Sequence, residues 1–180
     1  MFHNIIPKNI LLFIKLILYF MKTLKESLLD DIDNTLKTGG ANIKKVIKQF
    51  LDTNYKVVTY NGKFIISAKP DKDGLYNVST NGSVYIMHNG LEELTNGLFK
   101  FTNIRGSFNI SGTKSLKTLK NGPISVLGEF NISRCTSLDS LEYCPRNVAG
   151  DFTCFGTKFT KKDIKAACYH SWRQITDDDK

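Results

Sequence analysis

Between residues 24 and 55 the apolar positions follow a helical period. Leu24, Leu28, Leu29, Ile32 and Leu36 recur three and four residues apart with lysines and acids between them, which predicts an amphipathic helix. Gly39-Gly40 is expected to stop it. A second helix is expected after Asn42, a suitable N-cap, with Ile43, Val46, Ile47, Phe50 and Leu51 as its apolar stripe. Lys44, Lys45, Lys48 and Lys56 fall on its wet side or just beyond it. After Tyr55 the period changes to that of strands. Lys56–Tyr60 and Lys63–Ser67 are β-branched and aromatic runs separated by Asn61-Gly62, which predicts a hairpin. A polar loop over Lys69–Gly74 is followed by a short strand, Leu75–Val78, and a second turn at Asn81-Gly82.

From Gly82 to Phe159 the pattern repeats. Gly106–Leu127 (GSFNISGTKSLKTLKNGPISVL) and Gly128–Ala149 (GEFNISRCTSLDSLEYCPRNVA) share 10 of 22 positions, where unrelated sequence of average composition would share about one or two. A third unit begins at Gly150 and an earlier one at Gly82, and Gly62-Lys63-Phe64 has the same opening. Within each unit Phe108 and Ile110, Phe130 and Ile132, and Phe152 and Cys154 are i, i+2 pairs, with one residue between them. Each pair therefore points to one face of a short strand. Five residues after each Phe comes Thr113, Cys135 or Thr157, with Asn89 at the same offset in the earlier unit. A small polar side chain there can bond backbone groups as the chain turns off the strand. Leu116, Leu119, Leu138 and Leu141 would fill the interior of each coil. Pro123 and Pro145 suit a return arm, and Ile104, Val126 and Val148 close the circuit before the next strand.

This arrangement resembles the leucine-rich repeat, and Val84-x-Ile86-x-x-Asn89-x-Leu91 matches the core of that unit. The resemblance covers about 78 of 180 residues; Phe replaces the first strand Leu, and there are only about four units, so a short solenoid is implied rather than a long horseshoe. More narrowly, the G-x-F-x-[IC]-x-x-[CTN]…L-x-x-L…P-x-x-V unit and the segment MKTLKESLLDDIDNTLKTG from Met21 are similar to repeat proteins of tailed phages and mobile elements of gut bacteria. That resemblance implies a fold and a setting, in the cytoplasm of a bacterial host or in a virion, and no particular activity.

A solenoid needs both ends covered. Residues 21–55 would cap one end of a repeat region spanning 56–159. Residues 160–180 would supply a C-terminal helix, started by Thr160 and Asp163, with Ile164, Ala167 and Cys168 packed on the last coil and a frayed tail from Gln174. The fold class expected is α+β: a short leucine-rich-repeat-like β-solenoid with an N-terminal helical cap and a C-terminal capping helix. Residues 1–20 stand apart. Their run NILLFIKLILYF is too short to span a bilayer. It is read as an upstream extension from a misplaced start codon, with a membrane anchor and a packed helix as alternatives.

The formal net charge of +8 raises nucleic acid as a partner, but its distribution argues otherwise. The strand columns expected to face outward carry Tyr85, Asn109, Asn131 and Thr153 in the centre. Ser83, Ser107, Glu129 and Asp151 lie to one side, with Met87, Ser111, Ser133 and Phe155 on the other. None is basic. Lys114, Lys117, Lys120, Arg134 and Arg146 fall on turns and return arms, so nucleic-acid binding through a basic convex face is the lesser alternative to protein contact. The candidate protein interface is Tyr85, Met87, Asn109, Ser111, Asn131, Ser133, Thr153 and Phe155, polar groups with apolar anchors at two ends.

No catalytic, cofactor-binding or metal-binding residues are assigned. His3, His88 and His170 have no nucleophile and carboxylate at a recognisable spacing. P-loop, GxGxxG and HExxH motifs are absent, and Asp30-Asp31 and Glu92-Glu93 read as exposed charges. The four cysteines, with gaps of 9, 10 and 14 residues, match no common zinc spacing and are expected to be reduced, structural thiols. The reading is of a non-enzymatic protein-binding or structural module, with membrane contact only through residues 1–20.

Overall fold

A computed structural model describes residues 39–58, 62–87, 90–168 and 174–177. The chain forms two compact units, 1–42 and 43–180; the described elements belong to the second, apart from residues 39–42. The expectations for residues 1–38, for the Asn61 turn and for Asn89, His88 and His170 lie outside the described residues.

The first described element is helix α1, residues 39–54. Gly39 and Gly40 are themselves helical, so the expected second helix already includes them and Asn42 is not its N-cap. A glycine costs a helix only about 1 kcal/mol, less than is gained by burying the side chains further along it. Ile47 and Leu51 are fully buried, whereas Ile43 and Val46 of the expected stripe are exposed.

Eleven strands come after it among the described residues. Sheet A contains β1 (Tyr55–Val58), β4 (Ser83–Ile86), β6 (Phe108–Asn109), β8 (Phe130–Asn131), β10 (Phe152–Thr153) and β11 (Ile175–Thr176), in that spatial order. Sheet B contains β2 (Phe64–Ile66), β3 (Tyr76–Thr80), β5 (Phe99–Ile104), β7 (Ser125–Val126) and β9 (Asn147–Val148). The chain passes from one sheet to the other and back, giving a β-solenoid of about four turns. The fold is therefore α+β, a short solenoid with a helix towards each end of its sequence.

The 22-residue repeat stacks in register: Phe108 lies beside Phe130, and Phe130 beside Phe152. The three rings are at most 1% exposed, with centroids 6.1 Å and 5.1 Å apart. The column continues through Phe101, 5.2 Å from Phe108, to Tyr55. Each coil's strand amide donates to the next coil: Val84 N–H to Ser107 O, Phe108 N–H to Glu129 O and Phe130 N–H to Asp151 O. At the expected turn position Thr113 and Thr157 hydroxyls donate to the carbonyls of Ile110 and Cys154 (2.8 Å and 2.7 Å), and Cys135 Sγ reaches Ile110 O. Leu116, Leu119, Leu138 and Leu141 are buried.

The glycines that open the last three units, Gly106, Gly128 and Gly150, have a packing cause. A Cβ on Gly128 would stand 2.6 Å from the Ser107 nitrogen, and one on Gly150 would stand 2.5 Å from the Gly128 carbonyl carbon. Backbone meets backbone there, and only hydrogen fits.

Three expectations fail at the ends. The runs flanking Asn61-Gly62 are not a hairpin: β1 pairs antiparallel with β4 in sheet A, and β2 pairs antiparallel with β3 in sheet B. Each strand covers the edge of a different sheet, which satisfies two exposed rows of backbone groups where a hairpin would satisfy one. The tail is not frayed at Ile175–Thr176. Ile175 pairs with Phe152 and is 7% exposed, and Asp177 accepts the Lys161 amide at 2.8 Å. Helix α2 (Lys161–Ala167) has the expected capping box of Thr160 and Asp163, and those bonds hold the Asp163 carboxyl below its usual range. Ile164 and Cys168 are buried, but Ala167 is exposed.

The cysteines divide. Cys144 and Cys168 form a disulfide across 24 residues, while Cys135 and Cys154 are free and buried. Sequence spacing could not pair the first two, because α2 folds back to bring Cys168 beside the Cys144 turn. Burial pushes the Cys135 thiol up to about 11, so it stays protonated near neutrality.

Two outcomes are expected. Gly128→Ala lowers stability by about 2–3 kcal/mol, measured by urea unfolding, although alanine is the smallest possible change. Alkylation of the denatured, unreduced protein labels two cysteines and labels four after reduction, and reduction lowers stability by about 3 kcal/mol.

Candidate binding surface

The residues expected to form an interface lie along the outer face of sheet A. The register sets Tyr85 beside Asn109, Asn109 beside Asn131, and Asn131 beside Thr153. At ladder spacing, β4 and β10 are about 14 Å apart. Their exposure is uneven. Tyr85, Met87 and Phe155 are 39%, 49% and 42% exposed. Asn109, Ser111 and Asn131 are half-buried. Ser133 and Thr153 are buried.

The reason is that much of the polar column bonds to the protein itself. Asn109 Oδ1 accepts the Ser111 amide and Asn131 Oδ1 accepts the Ser133 amide, at 3.0 Å and 2.9 Å. Ser133 Oγ accepts the Phe155 amide of the next coil at 3.1 Å. At the other end of the strands Ser83 Oγ accepts the Ser107 amide, and Ser107 Oγ accepts the Glu129 amide. Glu129 Oε1 receives two donors, the Asn131 amide at 2.9 Å and the Thr153 hydroxyl at 2.6 Å. These side chains replace backbone partners that two-residue strands are too short to supply.

Two functional candidates were not visible in the sequence. Strand β1 lies antiparallel to β4, which sets exposed Lys56 beside Tyr85 and exposed Val58 beside Ser83. A sequence repeat cannot reveal an antiparallel strand that is not one of its units. Arg134 is the second. It shares a recess of about 360 Å³ with Ser111, Gly112, Asn131, Ser133 and Phe155, so it alone of the basic residues assigned to turns and return arms is shown at the margin of the ladder face. Of those, Lys117 is paired with Glu92 at 2.6 Å, a contact that holds the lysine's pKa above its usual range.

The larger recess, about 560 Å³, lies along the sheet B turns and includes Lys100, Ile124, Tyr143 and Arg146. Lys100 is engaged there by Asp71 and Asp73. Among the described residues no group of three or more His, Cys, Asp or Glu side chains converges as metal ligands would. No helix among them is long and apolar enough to cross a membrane. Compared with known proteins, the chain matches no family model, no curated protein and no solved structure.

The column thus contains scaffold positions and open positions, and substitution should separate them. Thr153→Val, which removes a buried donor to Glu129, lowers stability by about 1–2 kcal/mol. Tyr85→Ala changes it by less than about 0.5 kcal/mol, both read by urea denaturation.

Proposed function

We propose that this chain works by protein contact through the outer face of sheet A, as a phage-encoded accessory or virion-associated protein in the cytoplasm of a bacterial host or in the virion. The observation that carries the contact reading is the exposure of Tyr85, Met87 and Phe155 on one sheet face. Large apolar side chains left in water beside satisfied polar groups are what an interface covers with most gain. Lys56 beside Tyr85 adds a cation at one end of that face, and Arg134 adds another near Phe155. The half-buried asparagines between them hold the backbone in place, which gives the anchors a rigid base.

The phage setting rests on the resemblance of the repeat unit and of the segment from Met21 to phage repeat proteins. A solenoid by itself names no partner.

A variant carrying Tyr85→Glu, Met87→Glu and Phe155→Glu tests the contact reading. Melting curves should match those of the parent chain, because all three side chains are exposed. Crosslinking in host and virion lysates should recover a defined set of proteins with the parent and lose that set with the variant. Identical sets from both would remove this face as the interface.

A further inference from the structure

Residues 112, 134 and 156 occupy equivalent places in successive coils, at the turn that leaves sheet A. All three have the left-handed backbone conformation, with φ of 79° at Gly112, 59° at Arg134 and 65° at Gly156. Glycine adopts that conformation without penalty, whereas a residue with a Cβ is disfavoured there. Arg134 is the exception among the three. Its amide does what glycine's does: Arg134 N–H donates to Phe155 O, as Gly112 N–H donates to Ser133 O. Glycine would therefore serve the fold at 134. What arginine alone supplies is its side chain, in a conformation the backbone does not favour.

That side chain is exposed, and among the described residues no carboxylate pairs with it. Its stem lies over Gly156, where an added Cβ would come within 3.3 Å of Arg134 Cγ. Arg134 thus lines the recess that also includes Ser111, Ser133, Asn131 and the exposed Phe155. Asn131 is committed through both ends of its amide. The Ser133 oxygen already accepts an amide, which leaves its O–H as a donor. No bond engages the Ser111 hydroxyl among the described residues. What remains to meet a ligand is one cation, two hydroxyl donors and an apolar wall.

We infer that this recess binds a carboxylate, presented as an aspartate or glutamate side chain of the protein partner. A guanidinium offers two parallel N–H groups that match the two oxygens of a carboxylate, and the hydroxyls can complete its shell. One cation balances one carboxylate, while a phosphate would call for more positive charge than this recess holds. The ring of Phe155 suits the methylenes that carry the acid. The inference rests on the contact reading, because Asn131, Ser133 and Phe155 belong to both the recess and the ladder face, and it specifies what one part of the partner must carry.

The experiment titrates the isotope-labelled full chain with N-acetylglutamate amide and, separately, with N-acetylglutamine amide, following the amides of Ser111, Gly112, Arg134 and Phe155 and the Arg134 Nε by NMR. The acid should give saturable shifts at these positions that weaken as sodium chloride is raised. The neutral amide should bind at least about fivefold more weakly. Arg134→Gly should abolish the response and leave the melting temperature unchanged or raised by about 2–4 °C, because it restores the residue the backbone prefers. Arg134→Lys should weaken the response by keeping charge without the paired donors. Equal shifts with both probes, a response that survives in Arg134→Gly, or a lowered melting temperature in that variant would overturn the inference, the last by making Arg134 a structural residue. The two readings fail separately. Loss of partner in the Tyr85, Met87 and Phe155 variant without any response to the acid ends the carboxylate site alone. A response to the acid with partner recovery unaffected by that variant ends the contact reading.

Discussion

Each coil of this solenoid buries its aromatic residue only because another coil lies against it at the spacing of a β-ladder. Phe130 is closed between Phe108 and Phe152, and none of the three could be buried by its own coil. The constraint is strict on both sides of the chain. Inside, the rings must touch; at the coil corners, backbone must approach backbone so closely that Gly128 and Gly150 have no room for a Cβ. Volume in the core and its absence at the corner are two consequences of one stacking distance.

The same constraint explains what happens at the ends. A stack of identical coils would finish with an exposed ring and an unpaired strand edge. Here the first part of the stack is met by residues of α1, β1 and β2, with Ile47, Leu51 and Tyr55 buried, and the last by α2 and β11. Burial drives the Tyr55 hydroxyl's pKa well above its usual value, and the group donates to Leu94 O at 2.7 Å. The Cys144–Cys168 bond ties the far end of α2 to a turn of the coil it covers. These devices are all irregular, because each solves a problem that the repeat creates and cannot itself solve.

The outer face of sheet A reflects the shortness of the strands. Two-residue strands leave neighbouring amides without ladder partners, and Asn109, Asn131, Ser133 and Ser107 supply oxygens to them. An amide oxygen so engaged is poorly placed to accept from anything else, whereas a serine hydroxyl that accepts still has its O–H to give. The groups the scaffold leaves open are Tyr85 and Met87 with Lys56 at one end, and Phe155 with Arg134 and Ser111 near the other. That division between fixed and open positions gives the face its asymmetry.

Much of this was legible in the sequence, and for a definite reason. Side chains that alternate along a strand and recur every 22 residues can be satisfied together only by stacking, so the inward Phe–Ile pairs, the interior leucines and the turn-closing Thr113 and Thr157 could be placed from the repeat alone. The capping box at Thr160 and Asp163 was legible because it is local. What sequence could not decide was non-local and occurred once. It could not tell that the runs flanking Asn61-Gly62 would separate into two sheets, that Ile175 would continue the phenylalanine column, or that Cys168 would meet Cys144. Nor could it show that Gly39-Gly40 would be helical, since burial elsewhere in a helix overrides local preference. The candidate surface divides in the same way. Its columns were given by periodicity, but which members face water and which bond their neighbours, and that Arg134 borders the face at all, depend on how closely adjacent coils approach, and that distance is fixed only when the whole stack has formed.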